Sequence, residues 1–369
     1  MERSKIVVIS DVHMSNNAGY SWFRSPYPGD VSGLFKMIAK DEGVKELVLL
    51  GDIFDLWLYP VNVTPCQIDE IVSEWDDTVI DALRQCAANL PTVFYLNGNH
   101  DMTVTSDDIR RIANQIQWIT PAEYNQKHKN LLHLEHGNSA DMFNAPDDSG
   151  DTVNGLPLGY FITRLVATAD DQANCWDEIR KLVEDHHERY LRTGDSEKSV
   201  NGIAGKLLVI GIIDALMAYA FIKGEPVTDK TEIRFPNSKE NVTVGTVKKF
   251  YHSLFDRWLK KEPRRLWDSM RVSLCKDGLD WYAKELLDKG PAKVIVMGHT
   301  HYGEYSVYAC NDGSKYANSG CWCKETKDPA PTYIEMDMQA SGTVVSLKQW
   351  HGPSGTSRTL GTATIAPSA

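Results

Sequence analysis

Five short apolar runs in this sequence end the same way, and that repetition constrains the fold more than anything else in the chain. Lys5 to Ser10, Lys45 to Leu50, Thr92 to Leu96, Asn130 to Glu135 and Lys293 to Met297 are strand-length and rich in β-branched residues. They run into Asp11-Val12-His13, Gly51-Asp52-Ile53-Phe54-Asp55, Gly98-Asn99-His100-Asp101, His136-Gly137-Asn138 and Gly298-His299-Thr300-His301, respectively. Helical patterns lie between several of them, at Val31 to Lys40 and Gln67 to Ala88, and Ser106 to Asp108 looks like a helix start. Buried strands that end in chemistry-bearing residues predict an open α/β sheet with its site at the strand ends.

The groups collected there are Asp11, His13, Asp52, Asn99, His136, His299 and His301. All are oxygen or imidazole donors. Such a set suits borderline divalent ions rather than magnesium or calcium, which prefer all-oxygen shells. Seven donors for two ions require one to bridge, and a carboxylate does that best. In Asp-x-His and His-x-His, alternation along an extended segment would point both side chains the same way. Each motif alone has a plain alternative, a turn or a helix cap; the joint pattern does not.

Charge and cysteines narrow the field. A net charge of −11 argues against a nucleic-acid partner. The seven cysteines are scattered, and Cys321-Trp322-Cys323 lacks a second pair, so a thiolate zinc site is not expected. Free thiols and an N-terminus without signal-peptide architecture predict a cytoplasmic protein.

Taken together, D-x-H, G-D-x-x-D, G-N-H-D, H-G and G-H-x-H resemble the signature of the calcineurin-like metallophosphoesterases. The resemblance covers about residues 6–138 and 294–350. It implies two packed mixed β-sheets flanked by helices, an α/β four-layer sandwich, and two divalent ions, Mn first, with Fe, Zn, Ni or Co as alternatives. By motif, Asp11, His13 and His301 would hold one ion, Asn99, His136 and His299 the other, with Asp52 between them. His100 would be the general acid, and Asp55 the carboxylate that orients it, with Asp101 a competitor for that role. Water shared by two such cations has its pKa lowered from 15.7 toward about 7, which supplies a nucleophile.

The expected organisation is a core of residues 1–144 and 291–351, a mainly helical cap inserted at 145–290, and a disordered tail at 352–369. Phe143 to Gly155 reads as a hinge or lid loop. Tyr305 to Ala309, Thr332 to Met338 and Val344 to Trp350 read as a β-meander. Within the insertion, Leu207 to Ile222 is nearly all apolar except Asp214. It is shorter than the ~20 residues of a membrane span, so it reads as cap core, an apolar wall for a lipid-like or aromatic substrate, or a homodimer or membrane-surface contact. Arg24 and Arg164 are the cations expected to contact substrate phosphate.

The function expected is hydrolysis of a phosphodiester or pyrophosphate in a small or amphiphilic substrate. A phosphomonoesterase and a non-catalytic scaffold are the alternatives. Leu56-Trp57 stands where phosphoprotein phosphatases carry Arg-Gly, which argues against a phosphoprotein substrate. Gly51 to Trp57 and Asn318 to Trp322 resemble the UDP-2,3-diacylglucosamine hydrolase branch. His100 departs from it, because members of that branch commonly carry Arg there.

Overall fold

The strands form where the β-branched runs lie. In the computed structural model, which describes residues 3–147, 152–193, 203–236, 242–261, 265–272, 278–307, 315–323 and 331–365, the chain divides into two units. One comprises Met1–Asp55, Gln67–Asn138 and Gly278–Ala369, the other Leu56–Cys66 and Ser139–Asp277.

The first unit is built on β1 (Lys5–Ile9), β2 (Val44–Leu50), β3 (Thr92–Leu96), β4 (Ile116–Trp118), β5 (Leu132–Leu134), β6 (Val294–Met297), β7 (Gly303–Val307), β8 (Lys315–Ser319), β9 (Thr332–Gln339), β10 (Gly342–His351) and β11 (Thr356–Ile365). A seven-stranded sheet runs β11-β10-β9-β1-β2-β3-β4, and a four-stranded sheet runs β7-β8-β6-β5. Both are mixed: β1 to β4 pair in parallel and β9 to β11 antiparallel, while β6 is parallel to β5 and β8. Ile6, Val8, Val48, Leu50, Phe94 and Leu96 from one sheet share a core with Leu132, Leu134, Val294 and Val296 from the other. Val7, Ile9, Leu47 and Leu49, on the opposite face, are equally buried. Burial on both faces is why these runs show no polar alternation. Each such side chain contributes about 1.5–3 kcal/mol.

Several local expectations change. The helix expected over Gln67 to Ala88 is Ile68–Glu74, a π-turn at Asp76–Ile80 and Asp81–Asn89. The meander is β9, β10 and β11, whereas Gly303–Val307 joins the other sheet beside Lys315–Ser319. The disordered tail is a correction as well: Thr356–Ile365 is an edge strand paired along β10, and Ile365 reaches the core. Thr356, Thr359, Thr362 and Thr364 are β-branched and suit a half-exposed pleat, a signal that low hydrophobicity hid. Residues 148–151 of the expected hinge, the end of the expected Tyr305–Ala309 strand and the last four of the tail lie outside the described residues.

The second unit is mainly helical. Its apolar helix Ile203–Tyr219 buries Leu208, Val209, Ile212, Ile213 and Leu216 against Leu158–Thr168, Gln172–Thr193 and Leu254–Lys261. Asp214 faces out and pairs with Lys248. That arrangement makes the helix part of the second unit's own core. Among the described residues no helix is long and apolar enough to cross a membrane.

Candidate metal centre

Every candidate ligand sits just beyond a strand of the first unit, and five of the seven are held by a backbone turn that most residues avoid. Asp11, His13, Asp52, His299 and His301 all take positive φ, from +51° to +70°. Left-handed backbone costs a non-glycine residue about 1–3 kcal/mol and collects at functional sites. These turns, not strand alternation, aim Asp11 with His13 and His299 with His301. Backbone bonds lock the turns together: Asp11 N–H donates to Gly51 O at 3.1 Å, and His13 N–H to Asp52 O at 2.9 Å. Gly98 and Gly298 lie so close to Asp52 and Asp11, respectively, that a Cβ at either would collide with the carboxylate.

The side chains converge. Asp11, His13 and Asp52 present donor atoms within 4.8 Å of one another, and so do Asp52, His136 and His299. Asp52 belongs to both groups. Its Oδ2 is 3.0 Å from His136 Nε2 and 3.9 Å from His13 Nε2, while Asp11 Oδ1 lies 3.5 Å from His301 Nε2. His13 and His301 face each other through Nε2 atoms 3.0 Å apart.

Partners behind the rings fix which nitrogen looks inward. His136 Nδ1–H donates to Leu50 O at 2.9 Å, and His13 Nδ1–H to Asp55 Oδ2 at 3.2 Å. Each therefore turns Nε2 toward the carboxylates, as a metal-binding imidazole does. Asp11 and Asp52 are positioned in turn: His299 N–H and Ser10 Oγ bond Asp11, and His100 N–H donates to Asp52 Oδ1 at 2.7 Å.

The charges suit a cation. Burial pushes the Asp11 carboxyl up, whereas the imidazoles of His136 and His100 outweigh burial at Asp52 and hold it well down. Burial disfavours protonated His136, but Asp52 and Asp11 win and push it up to about 10. His301, buried and beside His13, is pushed well below the ordinary imidazole value. Asn99 Oδ1 is buried with no hydrogen-bond partner among the described residues, and His136 Nε2 is buried facing the carboxylates of Asp52 and Asp11, 3.0 and 3.8 Å away. A bound divalent cation would satisfy both, so the residues present fit the group.

His100 lies beside this cluster. Its Nδ1–H donates to Asp55 Oδ1 at 2.9 Å, and its ring meets that of His13 edge-on with centroids 4.6 Å apart. Burial opposes its charge, yet Asp55 and Asp52 raise its pKa above the ordinary value. Asp101 points elsewhere, accepting from Gly98 N–H at 2.6 Å, Ile53 N–H at 2.9 Å and the Tyr95 hydroxyl.

The two arginines part ways. Arg24 is half-exposed, its guanidinium on Gly19 O at 2.9 Å. Arg164, expected to contact phosphate, is completely buried in the second unit. Its guanidinium donates to the carbonyls of Tyr59, Pro60, Val61, Val63 and Arg234 and to the Tyr160 hydroxyl. It gathers the Leu56–Cys66 segment and has no donor left for a ligand.

Sequence reading missed three residues here. Trp22 packs against the rings of His13, His100 and His301, at 5.2, 6.0 and 5.8 Å between centroids. Ser319 Oγ lies 2.6 Å from Ser10 Oγ behind Asp11. Cys323 joins His13 and His301 in a third donor group. Only Cys323 carried a signal, its C-x-C spacing, which was set aside for want of a second pair.

Donors of this kind, at the strand ends of a two-sheet sandwich, define the class: a metal-dependent phosphoesterase. The chain belongs to the calcineurin-like phosphoesterase family, whose model matches residues 4–303. No curated protein matches it in sequence. Among solved structures it is similar to a dimetal phosphatase from Danio rerio, with 12% identity, TM-score 0.42 and 100% of both chains covered. It is also similar to the anchor protein of the inner membrane complex of Plasmodium, with 12% identity, TM-score 0.41 and coverage of 99% of this chain and 89% of that one.

Proposed function

We propose that the chain hydrolyses a phosphodiester or pyrophosphate bond in a small or amphiphilic substrate, using two divalent ions. Asp11, His13 and His301 would hold one, Asn99, His136 and His299 the other, and Asp52 both. The observation that carries this reading is the shared position of Asp52 in two donor groups. Such ions, when bound, lower the pKa of water and neutralise charge on a phosphoryl group.

The protein's own residues supply the rest. His100 is the general acid: the carboxylates of Asp55 and Asp52 outweigh its burial and favour the protonated ring, which can give a proton to the leaving oxygen. Asp55 holds the ring through Nδ1 and so commits Nε2 to the transfer. Arg24, two residues beyond Trp22, is the cation we assign to substrate phosphate; for the oxygen and imidazole donors alone Mn comes first, with Fe, Zn, Ni and Co also accepted.

The test is turnover of metal-reconstituted protein on bis-p-nitrophenyl phosphate, p-nitrophenyl phosphate and a nucleotide-diphosphate sugar. Diester or diphosphate cleavage is expected. Turnover confined to p-nitrophenyl phosphate selects the phosphomonoesterase instead, and none at all with two ions bound selects the scaffold.

A further inference from the structure

We infer that Cys323 is a thiolate ligand of the ion held by His13 and His301, giving that half of the centre a preference for zinc, iron or cobalt over manganese or magnesium. The inference rests on the two-ion reading above and adds a donor to it. Cys323 Sγ and a ring nitrogen from each of His13 and His301 lie within 4.8 Å of one another. The two imidazole Nε2 atoms, 3.0 Å apart, suit donors that share one ion at the usual ~2.0–2.1 Å. Cys323 is completely buried, so its sulfur does not serve an incoming substrate.

The segment that carries it is tied to the ligand loops. Trp322 N–H donates to Asp11 O at 2.9 Å, one residue before Cys323, and Trp322 Nε1–H to Thr332 O at 2.7 Å. Asn318, near the end of the preceding strand β8, donates to Gly298 O at 2.7 Å, just before His299. A sulfur placed this way moves with Asp11 and His299. Independently, the buried Asn99 Oδ1, with no hydrogen-bond partner among the described residues, points to a cation in this same centre.

The consequence is selectivity. Oxygen and imidazole ligands leave the choice of ion to supply, whereas a thiolate favours the softer ions. A second sulfur, Cys321 Sγ, lies 3.8 Å from that of Cys323 but belongs to none of the donor groups. It therefore serves as the internal control.

The full chain, stripped and reloaded with cobalt, decides the matter through its absorption spectrum and its cobalt content. Wild type and Cys321→Ser are expected to show both visible d–d bands and a near-ultraviolet sulfur-to-cobalt charge-transfer band. Cys323→Ser and Cys323→Ala, with circular dichroism unchanged, are expected to lose the charge-transfer band. Zinc over manganese preference should fall roughly tenfold or more in either variant. Cobalt bound with d–d bands but no charge-transfer band in wild type overturns the cysteine assignment and leaves the metal centre standing. A band that survives in Cys323→Ser, or vanishes in Cys321→Ser, overturns it too. No bound cobalt at all overturns the two-ion reading beneath it.

Discussion

Asp55 holds two imidazoles at once: its Oδ1 takes the Nδ1–H of His100 at 2.9 Å and its Oδ2 that of His13 at 3.2 Å. One buried carboxylate thus orients both the proposed acid and a proposed metal ligand. Those same imidazoles outweigh its burial and hold its pKa well below the usual carboxylate range. Asp101 is next to His100 in sequence and equally buried, but it spends its oxygens on the turns that start at Gly98 and Ile53.

Replacing Asp55 with Asn keeps the shape and removes the charge. His100 acts while protonated, so kcat should fall as pH rises through its raised pKa. Without the Asp55 charge that limb should move to lower pH, toward or below the ordinary ~6.5. Asp101→Asn should leave the limb in place and lower stability instead. A pH–rate profile of the three proteins distinguishes these roles; an alkaline limb unmoved in Asp55→Asn would sink the pairing.

His100→Ala should keep its metal, because no proposed ligand is replaced and the His100 N–H to Asp52 is backbone, while kcat drops by about 10²–10⁴. Metal analysis alongside steady-state kinetics checks this. Full turnover in the variant removes His100 from the mechanism.

Much of this site was legible in the sequence because strand ends are local: the apolar run and the polar residues that stop it are contiguous. Which carboxylate served His100 was not, since Asp55 and Asp101 follow different strands and only the turn geometry decides which of them reaches it. Alternation gave the right side-chain directions for Asp11 with His13 for the wrong reason, because left-handed φ at both residues does the aiming. Cys323 was set aside by spacing rules that see sequence neighbours, whereas its partners lie 22 and 310 positions away in the chain. Thr356–Ile365 was lost to low hydrophobicity, which an edge strand tolerates.

Loading metal should release protons at neutral pH. His136 donates Nδ1–H to Leu50 O, so the proton that Asp52 and Asp11 stabilise, with a pKa pushed up to about 10, is the one on Nε2. An ion must displace it, so affinity should rise with pH. In the metal-free protein the sign for folding is the reverse. A raised folded-state pKa stabilises fully below the unfolded value of ~6.5 and is lost as pH climbs through about 10. Calorimetric titration in buffers of different ionisation enthalpy measures the release; buffer-independent heats would show that His136 is already neutral.

Arg164 supplies the last test, because its expected and observed roles predict different phenotypes. A phosphate contact would raise KM on removal and spare the fold. The observed guanidinium is completely buried and binds five backbone carbonyls and the Tyr160 hydroxyl. Deleting it strands acceptors that each cost about 1–3 kcal/mol when buried without a partner. Lysine, a single-point donor, cannot reproduce that fork. Arg164→Lys and Arg164→Met should therefore both lose about 3 kcal/mol or more in urea unfolding, while any folded fraction keeps its KM. Preserved stability with a raised KM would return Arg164 to the substrate site.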